Sequence, residues 1–189
     1  MRSASACRQV LLAAAVLAGT LVAPARAGAA APAVAPAAAL GPWLAVDWPD
    51  QLGGRDSLGA HRGERVVLVV VEARRLALAG RWAEALAARA PGVAVLTLAD
   101  APPDVPVDPD RFTALLRKRV PAGVRVWMDP RRELSRALTL DTAEPNLLLV
   151  APDGSLAGQF RGRAAAPLLD AVMAAVLALP PATAGEVAR

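Results

Sequence analysis

The chain has 189 residues with 21 basic and 17 acidic side chains, and a pI near 10.8. That pI invites a nucleic-acid reading, but three of the arginines (Arg2, Arg8 and Arg26) sit in the first 27 residues, which read as a leader. Without them 18 basic residues face 17 acidic ones, and a net charge of +1 is no electrostatic footprint for nucleic acid.

The opening segment "MRSASACRQV" carries two arginines and leads into "LLAAAVLAGTLV", an apolar run too short to span a bilayer comfortably. Ala25-Arg26-Ala27 places small residues where a signal peptidase reads them. Residues 1–27 are therefore expected to be a signal peptide cleaved before Gly28, with a retained membrane anchor as the alternative. No lipobox and no twin-arginine pair is present. Cleavage would also remove Cys7, the only cysteine, and leave 162 residues without a thiol. That length suits one single-core domain. The expected location is the periplasm or the exterior.

Residues 28–42, "GAAAPAVAPAAALGP", are uncharged and without a periodic face, and read as an Ala/Pro linker. A folded domain is expected over 43–180, with 181–189 as a disordered tail. The domain opens on two short strands around Gly53-Gly54, followed by a buried strand at Val66–Val71. Leu76, Ala79, Trp82 (or Ala83) and Leu86 then recur at helical spacing, and Pro91-Gly92 ends that helix. A strand at Val93–Leu98 completes a βαβ unit with a parallel pair.

Asp108-Pro109 predicts a capped helix, Val124–Asp129 a third strand, and Asp129-Pro130 a short helix started by the same device. "PNLLLVAPDGSLAGQF" predicts an antiparallel hairpin around Pro152–Ser155. In the last helix Leu168, Leu169, Val172, Met173, Val176 and Leu177 form one broad apolar face.

Three segments carry a resemblance: "WPDQLGGRDSLGAHRGERVVLVVV", "DPRRELSRALTL" and "EPNLLLVAPDGSLAGQFRG". Together with the element order, they resemble the thioredoxin fold of the redoxin (AhpC/TSA-like) group, which includes exported thiol-disulfide reductases. The resemblance spans Leu44 to Leu177. It implies an α/β, three-layer thioredoxin-like sandwich with a mixed central sheet, an N-terminal β-hairpin extension and a C-terminal helix. It implies a cis peptide bond before Pro145, facing the position of an active site. It also places Leu76 and Ala79 where the family carries C-x-x-C. Thiol-disulfide exchange and peroxide reduction both need a thiolate, and neither Leu nor Ala supplies one.

The remaining residues offer little chemistry. His61 is the only histidine and reads as a solvent-facing loop residue, since Ser57 and Asp56 beside it are expected to point apart rather than build a triad. Asp100, Asp104, Asp108 and Asp110 lack the spacing of a calcium loop and read as a solvated loop with Asp108 as cap. Arg131 and Arg132 read as surface residues, and no paired carboxylates stand out. Trp82 and Trp127 fit the core, while Trp43 and Trp48 read as packed, with partial exposure. No cofactor or metal is expected. Arg74 and Arg75 at the helix start, with Leu76, Glu144 and Pro145, form the candidate binding surface for a protein or peptide of the cell envelope, because the family holds extended peptides beside its cis-proline. A membrane is a partner only if the leader is retained. A redoxin-type oxidoreductase is the alternative function, and a tethered accessory subunit is a third possibility.

Overall fold

The computed structural model describes residues 37–103 and 107–181. The expected signal segment, the linker as far as residue 36, Asp104 and the tail from residue 182 lie outside the described residues.

The sheet grows from one strand. β3 (Val66–Glu72) is buried along its whole length because both its faces are covered and both its edges paired. β4 (Ala94–Asp100) runs parallel to it on one side, in register from Val66↔Ala94 to Glu72↔Asp100. β6 (Asn146–Val150) runs antiparallel on the other. β5 (Trp127–Asp129) and β7 (Leu156–Arg161) complete the order β5-β4-β3-β6-β7. The expected N-terminal hairpin forms as β1 (Trp48–Pro49) paired with β2 (Arg55–Asp56).

Alternation along β3 builds two cores. Val67, Val69 and Val71 face α1 (Leu76–Arg89) and α4 (Ala166–Ala178), where Trp82, Leu86, Val172 and Val176 are buried. Val66, Leu68 and Val70 face the other layer, where Leu40, Trp48, Trp127 and Leu134 are buried. A third cluster seats α2 (Pro109–Arg119) through Phe112 and Leu116 on Ala99 and Met128. Asp108 caps α2 as expected, its Oδ1 accepting from the amides of Asp110 and Arg111 at 2.9 and 3.0 Å.

Several expectations need correction. Order begins before Trp43: Ala37–Ala45 is a 3-10 segment whose Leu40 is buried, because this leucine caps the second core. Trp48 is also buried, and Trp43 stacks on it with centroids 6.0 Å apart. The strand expected at Val124–Asp129 pairs only from Trp127. The short helix α3 (Glu133–Ala137) starts three residues later than Pro130, because Arg132 takes a left-handed conformation at φ 57°. Asp129 still serves it, accepting from the Leu134 amide at 3.0 Å. On α4 Leu177 is not part of the packed face: it is 64% exposed, one position past the buried Val176.

Candidate functional site

The carboxyl ends of β3 and β4 lead into the start of α1. Glu72 ends β3, Ala73–Arg75 make one 3-10 turn, and α1 begins at Leu76. Arg74 and Arg75 are exposed there, with Arg74 Nε 3.6 Å from Glu72 Oε1. Leu76 is half-buried and Ala79 fully buried against the α1–α4 core. The two positions where the resemblance expects cysteines are thus apolar in identity and packed against apolar neighbours. None of the described residues is a cysteine.

From this turn an open groove of about 600 Å³ runs between α1 and α2. Arg74, Arg81 and Arg119 line it against a single acid, Glu84, and Leu76, Thr97, Val124 and Val126 supply its apolar surface. Arg119 is steered toward it by a long contact from Nη1 to the Ala73 carbonyl, 3.5 Å.

The proline surface differs from expectation. The Glu144–Pro145 bond is trans, as is every peptide bond described. Pro145 is buried, and its carbonyl accepts from the Gly162 amide at 2.9 Å. The preceding loop is fastened by Asn146 Nδ2, which donates to the carbonyls of Asp141 and Glu144. Glu144 Oε1 lies 3.5 Å from Arg163 Nε. The carbonyls of Glu144 and Pro145 are therefore both engaged within the fold. Of the five residues of the expected surface, Arg74 and Leu76 line the groove, and Arg75, Glu144 and Pro145 do not.

The fold also gathers what the linear sequence hides. Register places Glu72, Asp100 and Asp129 side by side at the ends of β3, β4 and β5. Asp100 is no solvated loop residue: it is 0% exposed, and neither carboxylate oxygen has a hydrogen-bond partner. Burial pushes its carboxyl up to about 7. Ser135 and Arg132 pull the other way from nearby, and Asp129 adds repulsion. Burial also raises Asp129, against the backbone amides that hold its charged form. Arg132, expected at the surface, has a side chain only 18% exposed, with Nε 3.6 Å from Asp100 Oδ2, whereas Arg131 does lie in solvent. Among the described residues no group of three or more His, Cys, Asp or Glu is arranged to hold a metal ion.

His61 also departs from the expected solvent-facing residue. Its Nε2 lies 3.2 Å from Asp56 Oδ2 and its Nδ1 3.0 Å from Glu64 Oε2, with the ring tilted over Trp127. Burial lowers its pKa, but the two carboxylates outweigh burial and the pKa is raised. Ser57 takes no part: its Oγ accepts from the Ala60 amide, so no triad forms.

Five strands in this order, with α1 and α4 on one face and the 3-10 segment and α3 on the other, make a thioredoxin-like α/β protein. Comparison with solved structures gives the same fold. The pneumococcal exposed lipoprotein thioredoxin Etrx1 of Streptococcus pneumoniae superposes with a TM-score of 0.55 at 14% identity, over 68% of this chain and 97% of that one. A secreted Mycobacterium tuberculosis disulfide oxidoreductase homologous to E. coli DsbE gives 0.51 at 17%, over 74% and 99%. A peroxiredoxin Q variant of Xanthomonas campestris gives 0.52 at 18%, over 72% and 92%. No family model and no curated protein matches the sequence. The chain has the thioredoxin-like fold of the redoxins, and at these identities the likeness is one of fold alone.

Proposed function

We propose that this protein is an exported thioredoxin-like binding module that performs no thiol chemistry of its own, with a receptive surface in the groove that opens at Arg74–Leu76. The observation that carries the reading is the pair Leu76 and Ala79, apolar side chains at the positions where the resemblance expects cysteines, beside an open cleft. A thiolate is the nucleophile in every reaction the resemblance would imply. The cleft is within the size range of ligand sites and combines an apolar surface with a few charged groups at its rim. Export is supported by the leader-like segment 1–27 and by the exposed and secreted proteins among its structural neighbours. Arg74 and Leu76 of the expected binding surface line this groove, whereas Glu144 and Pro145 lie outside it.

A photo-crosslinking residue at Ala77, in the groove, tests this in the native cell, with Leu177 on the exposed side of α4 as control. A partner captured from Ala77 and not from Leu177 supports the module. Identical patterns from both positions, or reduction of insulin disulfides or peroxide by the purified protein, would overturn it.

A further inference from the structure

We infer that the groove is a strand-addition site: an extended acidic peptide pairs its backbone with the open edge of β4. The inference rests on the binding-module reading above and names its ligand class.

The starting point is an unequal ladder. β3 pairs with all seven residues of β4, but β5 pairs only with Leu98, Ala99 and Asp100. Ala94–Thr97 therefore have no strand on their outer side. All four are half-buried, whereas every residue of β3 is buried. The Ala94 amide donates to Arg65 at the β3 side, 2.9 Å, so alternation turns the amides of Val95 and Thr97 outward. An unpaired edge of this kind is a template for another strand.

The edge is held open by a specific device. Val124–Val126 precede β5 and would be the natural continuation alongside β4. Instead the buried Gln51 side chain takes both of their outward backbone groups. Its Nε2 donates to the Val124 carbonyl at 2.6 Å and its Oε1 accepts from the Val126 amide at 3.0 Å. Arg117 Nε in turn donates to the Gln51 carbonyl at 2.6 Å. This segment is thereby fixed as a wall of the groove, and Thr97 reaches the groove between it and α1.

The other wall is low. Ala77, Gly80 and Ala83 face the groove from α1, and a Cβ built on Gly80 would meet nothing within 4 Å. Four open positions at roughly 3.3 Å per residue accept about four residues of strand. A lipid or a small apolar ligand would leave the outward amides unmatched, whereas a second backbone satisfies them. Charge decides the sign: Arg74, Arg81 and Arg119 stand against Glu84, and Arg81 has no ion-pair partner among the described residues.

The test uses the full chain and fluorescent peptides of alternating glutamate and valine, read by anisotropy, with a lysine–valine peptide as control. Two further probes carry N-methyl groups on alternate amides, one set for each edge of the peptide. Saturable binding of the glutamate peptide is expected, with affinity falling about tenfold or more for one N-methylated register and not for the other. The double variant Arg81→Glu/Arg119→Glu should invert the glutamate-over-lysine preference while the melting profile shows it folded. Equal loss from both registers, equal binding of both charges, or no binding overturns strand addition. Self-association that Thr97→Pro abolishes would overturn it too, making a second copy the occupant. A crosslinked partner at Ala77 alongside any of these leaves the module standing and removes only the strand; no partner at Ala77 removes the module itself.

Discussion

Asp100 and Arg132 lie 3.6 Å apart in the interior, and neither Asp100 oxygen nor Arg132 Nε closes a hydrogen bond. An aspartate left in this condition favours its neutral form. Its pKa stands raised from 3.8 to about 7, and that of Asp129, one strand over, is raised as well. A carboxyl raised by folding contributes stability that is fully present below its unfolded value and lost as pH climbs through its folded value. The protein should therefore lose stability between about pH 4 and pH 7, by an amount on the order of a few kcal/mol. Asp100→Asn should flatten that slope and be the more stable form at pH 8. Melting temperatures across this range check it, and parallel curves for the two proteins would refute it.

His61 pulls in the same direction. With its pKa raised above 6.5, its share of stability is present below that value and disappears as pH rises through the folded pKa. The imidazole resonance should titrate above 6.5 by NMR. Asp56→Asn or Glu64→Gln should each move the midpoint down, since each removes one of the two carboxylate partners. A midpoint indifferent to both would show that neither carboxylate holds the ring.

Gln51→Ala should cost about 1–3 kcal/mol, because it strands the Val126 amide and the Val124 carbonyl. The loss should come with faster hydrogen exchange at Val126 and no change at β6. Denaturant unfolding with exchange by mass spectrometry measures both, and an unchanged midpoint would mean that water replaces the glutamine without cost.

Leu76→Cys should label quickly with a thiol reagent in the native protein, and Ala79→Cys only on unfolding. Ala79 sits at 1% exposure in an apolar cluster, where a thiol is hard to ionise. The double variant should stay inactive on insulin disulfides. Rapid labelling of both, or turnover, would show that the site needs only its sulfurs restored.

The strands and helices were legible because their signals are periodic. The unbroken Val66–Val71 run requires burial on two faces, and Asp108-Pro109 writes its own cap. The site was less legible because its residues meet through register. Asp100 reads as part of a Pro/Asp loop until Glu72 and Asp129 are seen beside it. Arg132 belongs to a charged pair of neighbours, and only its left-handed backbone separates it from the solvated Arg131. Gln51 is one polar residue before a turn, with nothing in its vicinity to announce partners some seventy positions later. Pro145 shows the opposite error: a resemblance supplied a conformation that the loop fastened by Asn146 does not adopt.

The placement of β3 has a consequence for how the chain is made. Its neighbour β4 follows soon after it, but the strand on its other edge, β6, comes late, and Leu40 waits for Leu148 and Leu156 before its own core closes. Contacts between such distant parts of a sequence form slowly, since the intervening loop must be gathered first. A nascent chain of this design completes neither of the two cores on β3 until its final hairpin emerges. Until then one edge of β3 stands unpaired, a template on which another chain could pair before β6 arrives.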